Sequence, residues 1–237
     1  MPAYWQKVGT NDWRSVTTGQ GAWTVTAGTV GDLRVIHTLL CDPTITITGM
    51  SGGGCANWML AGSSRTITAF DSTFGFHVST SLWFGKVTDT GTSLTVTYSS
   101  AIGSVSVRQY KRDFRSLRNP GMIDNYSATQ QSFAEQAATT NDIAWSSLTS
   151  TGPQLVVGDS GAIVTVSSGT GANFSFESDP FVNPHCHNLV ATAGNAHAPG
   201  YITTASGDWY ALLTIFDDGY YPPVTVQQNA INRASRW

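Results

Sequence analysis

The stretch "VVGDSGAIV", Val156 to Val164, sets Ser160 between Gly158-Asp159 and Gly161, a context in which a serine can act as a nucleophile. That chemistry needs a histidine base and a buried aspartate that orients it. His37 and Asp71 precede Ser160 in a suitable order. His37, however, falls within "LRVIHTLL" (33–40), which reads as a strand. A Gly-Asp pair also suits a tight turn, because glycine tolerates positive φ and aspartate can bond the backbone ahead of it. The chain echoes itself here: "GDLRVIHT" from Gly31 and "GDSGAIVT" from Gly158 share Gly-Asp, then Ile and Thr at the same spacing. Ser160 is therefore expected in or just past a turn, and no catalytic residue is assigned.

The same tetrapeptide surrounds the reactive serine of trypsin-like proteases. There it continues with another Gly and a Pro, whereas here Ala162 and Ile163 follow. A second candidate is "NPHCHN" (183–188). On a strand His185 and His187 point to one side and Cys186 to the other. Zinc needs three or four ligands, and no partner cluster is evident, His197 being the nearest further histidine. No metal and no cofactor is assigned. A third feature is "RQYKRDFRSLR" (108–118), with Arg108, Lys111, Arg112, Arg115 and Arg118. It reads as a basic linker between two halves. Its commonest fate is a solvated connector, and the sharper alternative is a patch for an acidic neighbour.

The elements that would position these residues have a period of two. "AWTVTA" (22–27), "TITIT" (44–48), "RTITAF" (65–70), "SLTVTYS" (93–99) and "SVSVRQY" (104–110) alternate apolar with polar. That is the pattern of antiparallel strands with one buried face. "LRVIHTLL", "SLWFGKVT" (81–88) and "DWYALLTIF" (208–216) are more apolar and read as central strands. Glycine-rich turns separate them, which predicts an all-β sandwich or barrel. "SATQQSFAEQAA" (127–138) is the one place where a short helix is expected.

Only 11% of the 237 residues are charged, against an ordinary ~25%, so the polar surface must come largely from Thr, Ser, Asn and Gly. Such a surface packs against other proteins without burying charge. A net charge of −3 argues against nucleic acid as a partner. No apolar run approaches the ~20 residues of a membrane span. "MPAYWQKVGTNDW" lacks the pattern of an export signal, so Cys41, Cys55 and Cys186 are expected as free thiols in a protein assembled in a cytoplasm. The ends, 1–21 and 218–237, are aromatic and read as extended arms, with Pro222-Pro223 disfavouring return into a sheet. Trp5, Trp13, Tyr220, Tyr221 and Trp237, together with Arg112, Arg115 and Arg118, are the expected assembly contacts.

Gly31-Asp32-Leu33, Asn57-Trp58-Met59-Leu60, Phe84-Gly85-Lys86-Val87-Thr88 and Asp208-Trp209, taken in order, carry a resemblance. Over roughly residues 22–216 the chain resembles a jelly-roll-like β-sandwich domain of tailed bacteriophages, above all in minor tail proteins of phages infecting actinobacteria. It departs from that pattern in lacking a Pro before Gly28, in Asn57 where Gly is usual, and in the basic linker. The resemblance implies an antiparallel jelly-roll-like sandwich spanning 22–217, its two pseudo-related halves joined near 108–120 and flanked by the arms. One sandwich is preferred to two, because each half alone has few strongly apolar strands. It also implies a virion structural protein that leaves its bacterial host by lysis, most simply a minor tail or tail-tip component. Its partners would be other virion proteins and copies of itself, with host cell-wall glycan as a further contact. Capsid decoration and a carbohydrate-binding adhesin are the alternatives, and no enzymatic activity is implied.

Overall fold

The alternating segments form antiparallel strands, and the computed structural model describes residues 4–16, 22–42, 44–71, 78–100, 106–118, 126–139, 142–163, 166–179 and 183–220. The first half contains β1 (Trp5–Val16), β2 (Trp23–Thr24), β3 (Leu33–Cys41), β4 (Ile47–Gly52), β5 (Met59–Leu60), β6 (Arg65–Ile67), β7 (Val78–Lys86), β8 (Ser93–Tyr98) and β9 (Ser106–Ser116). The second half contains β10 (Ser127–Thr139), β11 (Ile143–Ala144), β12 (Leu148–Thr149), β13 (Leu155–Ala162) and β14 (Val166–Thr170). It continues with β15 (Ser175–Ser178), β16 (Pro184–Asn188), β17 (Ala196–His197), β18 (Gly200–Thr203) and β19 (Gly207–Asp217). The fold is all-β.

In the first half one sheet runs β1-β9-β3-β7-β5, with β6 also on β7, and a smaller one runs β2-β8-β4. In the second half the sheets run β10-β19-β13-β16-β15 and β11-β18-β14, with β12 and β17 as a short ribbon. Both halves thus pair their first strand with their last and their last with the strand that opens the apolar run. This is jelly-roll order, occurring twice. Among the described residues no sheet mixes strands of the two halves. The single sandwich expected from the sequence is therefore replaced by two, stacked large sheet on large sheet.

The stacking explains how two modest halves close their cores. Trp5, Leu33, Val35 and Phe114 of the first half meet Tyr126, Leu155, Val157 and Phe216 of the second in one buried cluster. Leu33 pairs with Phe114 and Leu155 with Phe216, so the two contributions have the same register. Phe84 and Phe216 meet edge to face across the seam at 5.2 Å. Separate clusters fill each sandwich, around Trp23, Ile36 and Leu94 and around Trp145, Cys186 and Tyr201. The structural repeat sets "LRVIH" (33–37) against "LVVGD" (155–159), so Leu33 corresponds to Leu155 and not, as the Gly-Asp echo suggested, to Ser160.

Three local expectations are corrected. The N-terminal arm is a strand: β1 pairs along β9 from Trp5↔Ser116 to Val16↔Val107, with one bulge. The expected helix over 127–138 is β10, because β19 offers it a partner from Ser127↔Asp217 to Thr139↔Gly207. The basic linker is β9 itself. The C-terminal arm beyond Tyr220 lies outside the described residues.

Candidate functional site

The face on which the two large sheets meet turns polar beyond Val35 and Val157. Two residues further along each strand, β3 presents His37 and β13 presents Asp159. Beside them β9 contributes Tyr110 and Arg112, β16 contributes His185 and His187, and β15 contributes Glu177. Asp159, fully buried, sits at the centre. Its Oδ1 accepts a close bond from Arg112 Nη2 and lies 2.8 Å from His185 Nδ1 and 4.0 Å from His37 Nδ1. Arg112 also donates to the backbone carbonyl oxygens of Cys186, at 3.3 Å, and Gly158, at 3.5 Å. The His185 ring stacks on Tyr110 at 4.1 Å between centroids, and its Nε2 is 3.7 Å from Asp179 Oδ2. Asn183 holds Asp179 through side-chain and backbone N–H groups at 2.8 and 3.0 Å. His37 Nε2 lies 2.9 Å from Thr80 Oγ1 and 3.0 Å from the Tyr210 hydroxyl. At the rim, Glu177 accepts bonds from Lys7 and from Asn11, the latter at 2.9 Å.

Burial and neighbouring charge decide the protonation states. Burial lowers the His37 pKa to about 4 despite the nearby Asp159 carboxylate. Burial also acts against charge on His185, but the carboxylates of Asp159 and Asp179 prevail and raise its pKa. Burial would raise Asp159, and the Arg112 guanidinium instead holds it well below the usual carboxylate range. Five polar atoms of this cluster have no hydrogen-bond partner: Arg112 Nε, Asp159 Oδ2, Glu177 Oε1, His185 Nε2 and His187 Nδ1. Two of them face carboxylates at longer range, His185 Nε2 towards Asp179 at 3.7 Å and His187 Nδ1 towards Glu177 at 3.8 Å.

The opposite face of β9 carries a second ionic knot, inside the first jelly roll. Arg34 forks onto Asp113 with two bonds of 2.8 Å and donates to Thr26 O, also at 2.8 Å. Lys111 Nζ lies 3.0 Å from both Asp113 and Asp12. The alternation in "RQYKRDFRS" therefore sends Tyr110, Arg112 and Phe114 to the seam between halves and Lys111 and Asp113 into their own sandwich.

This placement revises the expected assembly contacts. Arg112 is fully buried and cannot meet a neighbour, and Trp5 is likewise enclosed in the core. Arg115 pairs with Asp32 at 2.8 Å. Arg118 pairs with Asp218 at 3.0 Å, donates to Pro153 O at 2.7 Å and lies over the rings of Tyr4 and Tyr220. The half-buried Tyr220 is thus tied back to its own chain. Trp13, 47% exposed on the edge strand β1, keeps an outward-facing ring. Tyr221 and Trp237 lie outside the described residues.

The nucleophile arrangement does not assemble. Ser160 lies within β13, not in a turn, is fully buried, and donates to Pro184 O at 2.7 Å. The carboxylate beside His37 is Asp159, whose neighbour Ser160 necessarily points to the other face of the strand. The two glycines have packing reasons. A Cβ on Gly158 would stand 2.4 Å from Cys186 Sγ and 3.1 Å from the Trp145 ring nitrogen, and one on Gly161 would stand 2.5 Å from the Tyr210 ring. Trp145 uses that space to donate to the carbonyls of Asp159 and Leu212, at 3.2 and 3.1 Å. His185 and His187 share a face as expected, with Cys186 in the sandwich core behind them. His197 is elsewhere, 3.0 Å from Ser150 Oγ. The three cysteines are free.

No protein family, curated protein or solved structure matches this chain. Sequence reasoning missed Asp159 as the centre of the cluster, along with Glu177, Asp179 and Lys7. The available signal was alternation: charged residues at seam-facing positions of strongly apolar strands, as in "LVVGD" and "LRVIH", need buried partners.

Proposed function

We propose that this protein is a structural subunit of a tailed-phage virion, most simply a minor tail or tail-tip component. The observation that carries the reading is the repeated jelly roll fused through one shared core, with many of its basic residues paired within the chain. Lys7, Arg34, Lys111, Arg112, Arg115 and Arg118 are all engaged in internal ion pairs. The outer face of the small first-half sheet instead presents exposed Thr24, Thr46, Thr48, Thr95 and Thr97. A rigid block with an uncharged hydroxyl face can join a protein lattice without desolvating charge, and repetition turns weak contacts into avidity. The resemblance to phage minor tail domains supports the same reading. Immunogold electron microscopy of phage particles, with an antibody to the purified protein, tests it. Gold along the tail or at its tip is expected. Gold spread over the head would assign the protein to capsid decoration, and no gold on any particle would overturn the virion reading and make sugar arrays the next test.

A further inference from the structure

We propose that His37, Asp159 and His185 bind one divalent transition-metal ion of the zinc class, which clamps the two jelly rolls together. A ring nitrogen from each histidine and a carboxylate oxygen lie within 4.8 Å of one another, and all three residues are buried. His37 comes from β3 of the first half, Asp159 and His185 from β13 and β16 of the second, so the ion would bridge the seam.

The ring nitrogens not needed for the ion face other groups. His37 Nε2 is within hydrogen-bond distance of Thr80 and Tyr210, which leaves Nδ1 turned towards Asp159. His185 Nε2 faces Asp179, itself fixed by Asn183, while Nδ1 faces Asp159. An imidazole whose far nitrogen is oriented by a carboxylate or hydroxyl is the usual arrangement of a metal-binding histidine. Asp159 Oδ1 takes Arg112 and also faces both histidine Nδ1 atoms, and the buried Oδ2 has no hydrogen-bond partner. That buried oxygen without a partner is the independent sign of a missing ligand.

Donor type selects the metal. Two imidazoles and one carboxylate suit zinc, cobalt, nickel or iron(II), whereas calcium and magnesium prefer an all-oxygen shell. Water would complete the coordination. Charge permits the ion, since Asp159, Asp179 and Glu177 outnumber Arg112 and Lys7 around it. Without metal, a proton on His185 Nδ1 bridges to Asp159. Metal binding replaces that proton and releases it to solvent. The burial of all three ligands marks a structural role. This inference does not depend on the virion reading.

The test uses the full chain, stripped with a chelator and titrated with cobalt(II), then zinc(II). One equivalent per chain is expected at micromolar concentrations, with tetrahedral visible absorption for cobalt, proton release, and a melting temperature that rises with metal concentration. X-ray absorption of the cobalt form should show two imidazole ligands. His37→Gln should lower the affinity at least tenfold, while His187→Gln and His197→Gln keep it. The proposal is overturned if the stripped wild-type chain takes up no cobalt or zinc, or if the bound cobalt has fewer than two imidazoles. It is also overturned if folded His37→Gln binds as tightly as wild type. If His37→Gln does not fold, the wild-type stoichiometry and absorption spectrum decide.

Discussion

Arg112→Leu isolates what the seam cluster contributes to stability. Arg112 is fully buried, bonds Asp159, donates to two backbone carbonyls and lies 5.5 Å from the Tyr110 ring centroid. Leucine removes the charge and leaves the Asp159 carboxylate in the interior with His185 as its remaining close hydrogen-bond partner. Removing one partner of a buried pair costs about 3–5 kcal/mol, because the survivor cannot return to water. At about 2–4 °C per kcal/mol for a chain of this size, the melting temperature should fall by roughly 6–20 °C. Arg115→Leu is the control. Arg115 also pairs with a carboxylate, but its side chain is 39% exposed and it lines, with Asp32, a surface depression of about 310 Å³. Asp32 is itself buried, but the depression lets water approach it once Arg115 is gone, so the loss should be smaller, about 1–3 kcal/mol. Urea unfolding followed by tryptophan fluorescence, with chelator present throughout, measures both. If Arg112→Leu costs no more than Arg115→Leu, the seam pair is not the desolvated interaction described here.

Gly158→Ala should destabilise by about 1–3 kcal/mol through its clash with Cys186 and Trp145, whereas Ser160→Ala should cost about 1 kcal/mol for one hydrogen bond; thermal melts rank the two, and an equal or reversed order contradicts the packing argument. The Asp12 carboxylate is held below its ordinary 3.8 because its bonds to Thr26 and Lys111 outweigh burial. A depressed carboxylate stabilises the fold above the unfolded pKa, and that contribution is lost as pH falls through the folded value. Asp12→Asn should therefore flatten the stability–pH curve below about pH 3.8 and leave its shape near neutrality unchanged, as read from urea midpoints across pH. Each half expressed alone exposes the Leu33–Phe114 or Leu155–Phe216 face and should fail to give a cooperative melt, while co-expression restores one; two independently folding halves would contradict the shared core.

Strand content was legible because period-two alternation is local. "SLTVTYS" became β8 and "DWYALLTIF" became β19 with little shift at either end. "SATQQSFAEQAA" was misread because its weak pattern is overridden by a partner strand far away in sequence. The His185–Cys186–His187 alternation was read correctly, but its neighbours could not be, since Asp159 and His37 reach it only through sheet stacking.

The sequence by itself determined that this chain is all-β, poor in charge and rich in hydroxyls, because composition and alternation depend on residues close along the chain. The tertiary structure alone decided that the halves close separately and then stack, that the arginine of the apparent linker is the buried counter-ion of Asp159, and that His37 meets His185. Those pairings depend on which faces of distant strands become neighbours. Side-chain period sets what faces inward, but only the packing of one sheet on another sets what it faces.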